Sequence, residues 1–238
     1  MNENIIEITG VTKRYLLGKN NYVNALRGAD LSVARGEMVA LMGPSGSGKS
    51  TLLHIAGCLD RPDKGEVRLT GRRVDDLGGR ELVKVRCREV GFIFQGFNLI
   101  PTMTAVENVA LAAEYAGVGK REAAAKARRL LELVGLGGRM RHTPTELSGG
   151  QQQRVAIARS LVNNPGIVMG DEPTGDLDTA TSEEIVAVMR DINEVQGTTF
   201  VLVTHNPEDA AACDRTILMR DGVVVDNGVE LFMERLGA

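Results

Sequence analysis

Short apolar runs with two-residue alternation recur along the chain, separated by stretches whose apolar positions follow the helical period. Residues 5–15 mix β-branched with polar side chains and predict a strand. Leu31-Ser32-Val33 alternates and predicts another, before Gly36 turns the chain into a strand over residues 37–42. Residues 50–56 predict a helix stopped by Gly57, and Pro62, Asp63 and Gly65 mark a turn ahead of a strand at 66–70. A helix at 80–89 then precedes a buried strand at 90–94 that ends at Gln95.

The middle of the chain changes character. Residues 104–116 and 120–134 are helix-forming, the second rich in Ala, Lys, Arg, Glu and Leu. Thr104 with Glu107 three residues on fits a capping box. A helix follows at 151–162, a strand at 167–169, a long helix at 180–194, a strand at 199–204, a short helix at 207–212 and a strand at 216–219. Asp221-Gly222 is a hairpin turn signal before a last strand at 223–225. Strands alternating with helices predict an α/β fold with a mainly parallel sheet and ligands at the carboxyl ends of its strands. The helical stretch from about 96 to 153 lies between such segments and reads as an inserted helical subdomain, with the core formed by 1–95 and 154–238 of a single domain.

Composition narrows the class. The chain has 238 residues, 43% hydrophobic and 25% charged, within the range of globular proteins with a sizeable core. A net charge of −3 argues against a nucleic-acid partner, and Arg72-Arg73, Arg128-Arg129 and the Arg139/Arg141 pair read as solvated faces. Cys58, Cys87 and Cys213 are widely separated without C-x-x-C spacing, which fits reduced thiols in a cytosolic protein rather than a metal site. Met1-Asn2-Glu3-Asn4 opens no signal peptide, and no apolar run approaches the ~20 residues that cross a bilayer. Any service to a membrane would go through a partner.

The chemistry centres on Gly43-Pro44-Ser45-Gly46-Ser47-Gly48-Lys49-Ser50-Thr51, a G-x-x-x-x-G-K-[ST] spacing between a predicted strand and a predicted helix. Such a loop turns successive N–H groups inward at a helix N-terminus and cradles phosphates. Lys49 then reaches the β- and γ-phosphates, and the Ser50 hydroxyl takes a place on Mg²⁺. The apolar run Ile167-Val168-Met169-Gly170 ends in Asp171-Glu172. Asp171 suits a Mg²⁺-holding aspartate, and Glu172 a general base for the attacking water.

With Leu147-Ser148-Gly149-Gly150-Gln151-Gln152-Gln153-Arg154 added, the sequence resembles the nucleotide-binding subunit of ATP-binding-cassette (ABC) transporters over nearly its whole length. The phosphate loop, Gln95, this signature, Asp171-Glu172, Gly175-Asp176-Leu177-Asp178 and His205 follow the family's order. The resemblance implies a RecA-like P-loop NTPase core, an N-terminal antiparallel β part, and ATP and Mg²⁺ as ligands. It implies that Tyr15 stacks on adenine, with a half-buried strand tyrosine as the alternative, and that Gln95 touches Mg²⁺ and water. Ser148, Gly149, Gly150 and Gln151 would serve the γ-phosphate held by an opposite subunit, so that a homodimer closes around two MgATP. Asp178 would cross that interface, and His205 would contact the γ-phosphate and orient Glu172. His54 and His142 receive no role.

The implied function is an ATPase driving a separate transmembrane permease from the cytoplasmic face of the membrane, with Phe97, Leu99 and Pro101 as contact candidates or packing residues of the insert. Lys13-Arg14-Tyr15-Leu16-Leu17-Gly18, Ala25-Leu26-Arg27-Gly28 and Phe97-Asn98-Leu99-Ile100-Pro101 resemble the macrolide-exporter and lipoprotein-release branch. The chain's end soon after the 223–225 strand leaves no room for a C-terminal regulatory domain. Gly170, where a larger residue is common, and Asp176, where this branch often has Asn, depart from the pattern. An importer ATPase, a soluble ABC ATPase acting on nucleic acid or ribosomes, and an ATP sensor without turnover are the alternatives.

Overall fold

The computed structural model describes residues 3–16, 18 and 22–225; Met1, Asn2 and Leu17, named above, lie outside them. Two sheets organise the chain. The first is antiparallel, in the order β2 (Tyr22–Ala34), β1 (Asn4–Leu16), β4 (Lys64–Leu69) and β5 (Arg72–Arg73). The second runs β10 (Val223–Val225), β9 (Arg215–Arg220), β3 (Met38–Met42), β8 (Thr199–Val203), β7 (Ile167–Asp171) and β6 (Val90–Phe94). All its pairings are parallel except the β9–β10 hairpin. Asp221 and Gly222 turn that hairpin with φ of 51° and 81°, the left-handed pair that a two-residue turn of matching twist demands.

The second sheet is covered on both faces, which is why its strands read as apolar runs rather than as alternating ones. Side chains nevertheless divide by the two-residue period. Val39, Leu41, Ile167, Met169, Val201 and Val203 pack toward the antiparallel sheet and α1 (Lys49–Ala56). Met38, Val168, Phe200 and Leu202 pack on the other face with Val109 of α3 (Ala105–Tyr115), Leu131 of α4 (Lys120–Leu133), Ile157 of α5 (Gly149–Leu161) and Ile185 of α6 (Thr179–Gln196). The helices of the central stretch therefore share one apolar core with the strands. α2 (Gly79–Arg88) precedes β6, and α7 (Pro207–Ala211) lies between β8 and β9.

Most predicted elements recur within one or two residues of the expected bounds. The clearest difference is β2, which spans Tyr22–Ala34 rather than the three residues that alternate. It is an edge strand with Tyr22 and Val23 exposed, so pairing with β1 defines it where its own pattern is weak. Arg72-Arg73, expected as a solvated face, is exposed and also pairs with β4 as a two-residue strand.

Candidate nucleotide-binding site

The glycine-rich loop over residues 43–48, expected to bind phosphate, leaves β3 and enters α1. Gly43 and Gly48 carry φ of 146° and 99°, values that L side chains resist. A Cβ on Gly43 would stand 2.1 Å from the Met219 carbonyl oxygen, and one on Gly48 2.4 Å from that of Ala25. These two glycines let the loop pack directly on the neighbouring backbone. Gly46, with φ of 77°, has no atom near its Cβ position. Around the loop lies a hollow of ≈ 560 Å³, whose lining includes Gly46, Lys49, Ser50, Thr51, Glu172 and His205. Gly43, Ser45 and Gly48 border it as well.

Lys49 and Ser50 line this hollow, and Ser47, His54 and Asp171 lie outside its lining. Lys49 Nζ donates to the carbonyl oxygens of Gly43 at 2.8 Å and Pro44 at 3.0 Å. Ser47 Oγ is buried without a hydrogen-bond partner among the described residues. Ser50 Oγ donates to Asp171 Oδ1 at 2.9 Å, which joins the start of α1 to the end of β7. His54, one helical turn beyond Ser50, places Nε2 3.5 Å from Asp171 Oδ2. Burial disfavours the Asp171 carboxylate, but hydrogen bonds from His54 and Ser50 with the charges of His54 and Lys49 outweigh it and hold its pKa below the usual value. His54 was given no role from sequence; its i+4 spacing from Ser50 was the available signal.

Glu172 follows with φ of +48°, and its N–H donates to the Val203 carbonyl at 2.9 Å. That left-handed step takes its carboxylate away from the strand direction, toward His205, whose Nδ1 lies 3.3 Å from Glu172 Oε2. The two residues come from the ends of adjacent parallel strands, β7 and β8. Gly170 is explained by packing: a Cβ there would lie 2.7 Å from Leu202 Cδ2.

Other candidates stand apart from the hollow. Gln95 Nε2 donates to Asp176 Oδ1 at 2.8 Å, so the second departure from the family pattern holds the glutamine at the end of β6. Tyr15 is half-buried on β1, its hydroxyl donating to Asp60 Oδ2 at 2.6 Å, and burial with this Asp60 bond pushes its pKa up to about 12. Ser148 caps α5 reciprocally with Gln151: Ser148 N–H donates to Gln151 Oε1 at 3.1 Å, and Gln151 N–H to Ser148 Oγ at 3.3 Å. Asp178 caps α6, accepting from Thr181 N–H at 3.0 Å and Thr181 Oγ1 at 2.7 Å. A Cβ on Gly150 would lie 2.4 Å from Thr181 Cγ2, so the starts of α5 and α6 are in contact. None of Tyr15, Gln95, Ser148, Gly149, Gly150, Gln151 or Asp178 lines the hollow.

Comparison with known proteins places this arrangement. A family model described as ABC transporter matches residues 26–175. The chain is 53% identical to an uncharacterized ABC transporter ATP-binding protein of Thermotoga maritima over 95% of each chain. It is 50% identical, over 92% of its length, to the macrolide export ATP-binding/permease protein MacB of Syntrophobacter fumaroxidans, of which it spans 31%. A dimeric post-hydrolysis structure of the ATP-binding cassette MJ0796 with ADP and Pi superposes with a TM-score of 0.84, 44% identity, and 92% and 96% of the two chains covered. The glycine-rich loop before α1, the acidic pair at the adjoining strand end and these matches agree: the chain belongs to the ABC transporter family, as an ATP-binding ATPase subunit.

Proposed function

We propose that the hollow beside α1 binds ATP and that Glu172 and His205 carry its hydrolysis. The observation behind this reading is the 3.3 Å contact between Glu172 and His205 on the wall of the cavity that holds Lys49 and Ser50. Backbone N–H groups of the loop and the start of α1, including that of Ser47, together with Lys49, Ser45 and Thr51 bind and orient the phosphates. The Ser50 hydroxyl and Asp171 carboxylate fit Mg²⁺, a hard cation that takes oxygen ligands, and Gln95 is the third candidate once it leaves Asp176. Bound there, Mg²⁺ would neutralise charge on the phosphate oxygens. Glu172 takes the proton of the attacking water, and His205 orients Glu172 and meets the γ-phosphate. Tyr15 offers its ring face to the base, its hydroxyl anchored by Asp60.

Ser148, Gly149, Gly150, Gln151 and Asp178 act in a second copy. They lie off the chain's own hollow, and the dimeric MJ0796 cassette supports a homodimer with ATP between the copies. Residues 96–153 form the helical subdomain of the cassette. Phe97, next to Asn98 on a groove of ≈ 400 Å³, and Pro101, ahead of α3, are the contact candidates for a transmembrane permease at the cytoplasmic face of the membrane, whereas Leu99 packs against the core shared by α3, α4 and α5. Relatives named for macrolide export and syringafactin export support export as the direction.

The test is Glu172→Gln. It should bind ATP normally, accumulate as an ATP-dependent dimer by light scattering, and lose roughly 10²–10⁴-fold in turnover, the scale of a removed general base. Turnover at the normal rate refutes the assignment. The partner is tested by isolating the tagged chain from detergent-solubilised membranes: a co-purifying permease supports the transport reading, and ribosomal or nucleic-acid partners without one refute it.

A further inference from the structure

Asp209 lies on α7, is 3% exposed, and belongs to no part of the site described above. Its carboxylate does little for its own helix, which is already capped by Asn206 accepting from the Glu208 N–H at 2.9 Å. It faces the two loops that carry the reacting groups. Asp209 Oδ2 accepts from Thr174 Oγ1 and, at 3.1 Å, from Thr204 Oγ1. Oδ1 accepts from Asn206 Nδ2 at 3.4 Å. Thr174 is two residues beyond Glu172, and Thr204 and Asn206 flank His205. Both threonines are buried, at 6% and 3% exposure. Thr204 Oγ1 also accepts from the Asn206 N–H at 3.0 Å, closing the loop around His205.

A buried carboxylate is retained at a cost unless its oxygens are hydrogen-bonded, and here the compensating donors come from both loops. The strands β7 and β8 fix where the loops begin; beyond them, Asp209 ties Thr174 to Thr204 and Asn206. We propose that Asp209 is a positioning residue that sets the separation of Glu172 and His205, an inference that rests on the roles proposed for that pair. The carboxylate touches neither side chain. It acts by preventing the two loops from drifting apart, where a displacement of about 1 Å can cost on the order of 10²-fold in rate.

The experiment is steady-state ATP hydrolysis by the full chain, with ATP affinity and thermal unfolding measured alongside. Asp209→Ala should lower kcat roughly 10- to 100-fold while KM and ATP affinity stay within about threefold, because positioning acts on the transition state and not on ground-state binding. Asp209→Asn, which keeps one oxygen for both threonine hydroxyls but sets its amide N–H₂ against Asn206 Nδ2, should recover part of the loss, with kcat between those of Asp209→Ala and the wild type. In a Glu172→Gln background Asp209→Ala should add less than about twofold, since there is then no base left to place. Full kcat in a folded Asp209→Ala, a loss matched by an equal loss of ATP affinity, or an undiminished effect in the Glu172→Gln background would overturn the proposal. If Asp209→Ala does not fold, Thr174→Val removes one donor only: a several-fold fall in kcat restored by Thr174→Ser supports the clamp, and unchanged kcat overturns it. Failure of the underlying reading shows separately, as normal turnover in Glu172→Gln alone, and the clamp then falls with it.

Discussion

Gly150→Ala tests whether the signature helix and the loop before α6 are mechanically joined. The added methyl would stand 2.4 Å from Thr181 Cγ2, about 1 Å short of ordinary carbon–carbon contact. Thr181 has only χ1 to turn, and turning it takes Oγ1 off Asp178, where it now donates at 2.7 Å. Either outcome is unfavourable: overpacking costs about 1–3 kcal/mol, and loss of a cap contact about 1 kcal/mol. Alanine returns at most ~1 kcal/mol of helix propensity, so the net loss is up to about 2 kcal/mol. For a chain of this size that is a fall in Tm of up to about 8 °C. The assay is thermal unfolding of Gly150→Ala, Thr181→Ala and the double variant. With the Thr181 side chain gone, Gly150→Ala should become neutral or stabilising, giving a coupling of about 1–2 kcal/mol. Additive effects of the two substitutions would refute the contact and the linkage drawn from it.

Two further outcomes follow from the geometry of the loop and of Tyr15. Gly48→Ala should destabilise by about 2–5 kcal/mol and weaken nucleotide binding, since a left-handed φ and an unyielding Ala25 carbonyl act together, whereas Gly46→Ala should cost only the ~1–2 kcal/mol of its backbone conformation; equal Tm values for the two would refute this. Asp60 is subject to burial, which disfavours its charge, but hydrogen bonds from Lys13, at 2.7 Å, and Tyr15 overcome this and hold its pKa below the ordinary value of about 4. Its contribution to stability is therefore present above about pH 4 and lost as pH falls through the lowered folded value. The Tm difference between the wild type and Asp60→Asn should hold from about pH 6 to about pH 4 and shrink as pH falls further, and a constant difference below about pH 4 would show that the carboxylate charge is not what stabilises the cluster.

Much of the local structure is written in the sequence because its causes are local. Thr104 and Glu107 form the expected capping box, with Thr104 Oγ1 accepting from the Glu107 N–H and the Glu107 carboxylate accepting from Thr104. Asp221-Gly222 forms its hairpin because both residues tolerate positive φ, and Gly57 caps α1 where the helix was expected to stop. The phosphate loop is legible for the same reason: glycine spacing and a following helix fix its chemistry within about ten residues.

Contacts between distant segments were not legible. The length of β2 depends on β1 beside it, and the His54–Asp171, Gln95–Asp176 and Asp209–Thr174 contacts each join parts of the chain whose separation only packing removes. Asp209 shows this most plainly, since in sequence it is an acidic residue in a short polar helix and its burial arises from β7 and β8 lying side by side. The sequence by itself thus determined most of the elements and the spacing of the groups proposed to bind phosphate, both set within a helix, strand or turn, and the order of its motifs pointed to the family. Tertiary structure alone decided that Glu172 faces His205 and that Asp209 joins the loops after β7 and β8. Those relations are distances between groups far apart along the chain, and they exist only once the sheet and its helices have packed.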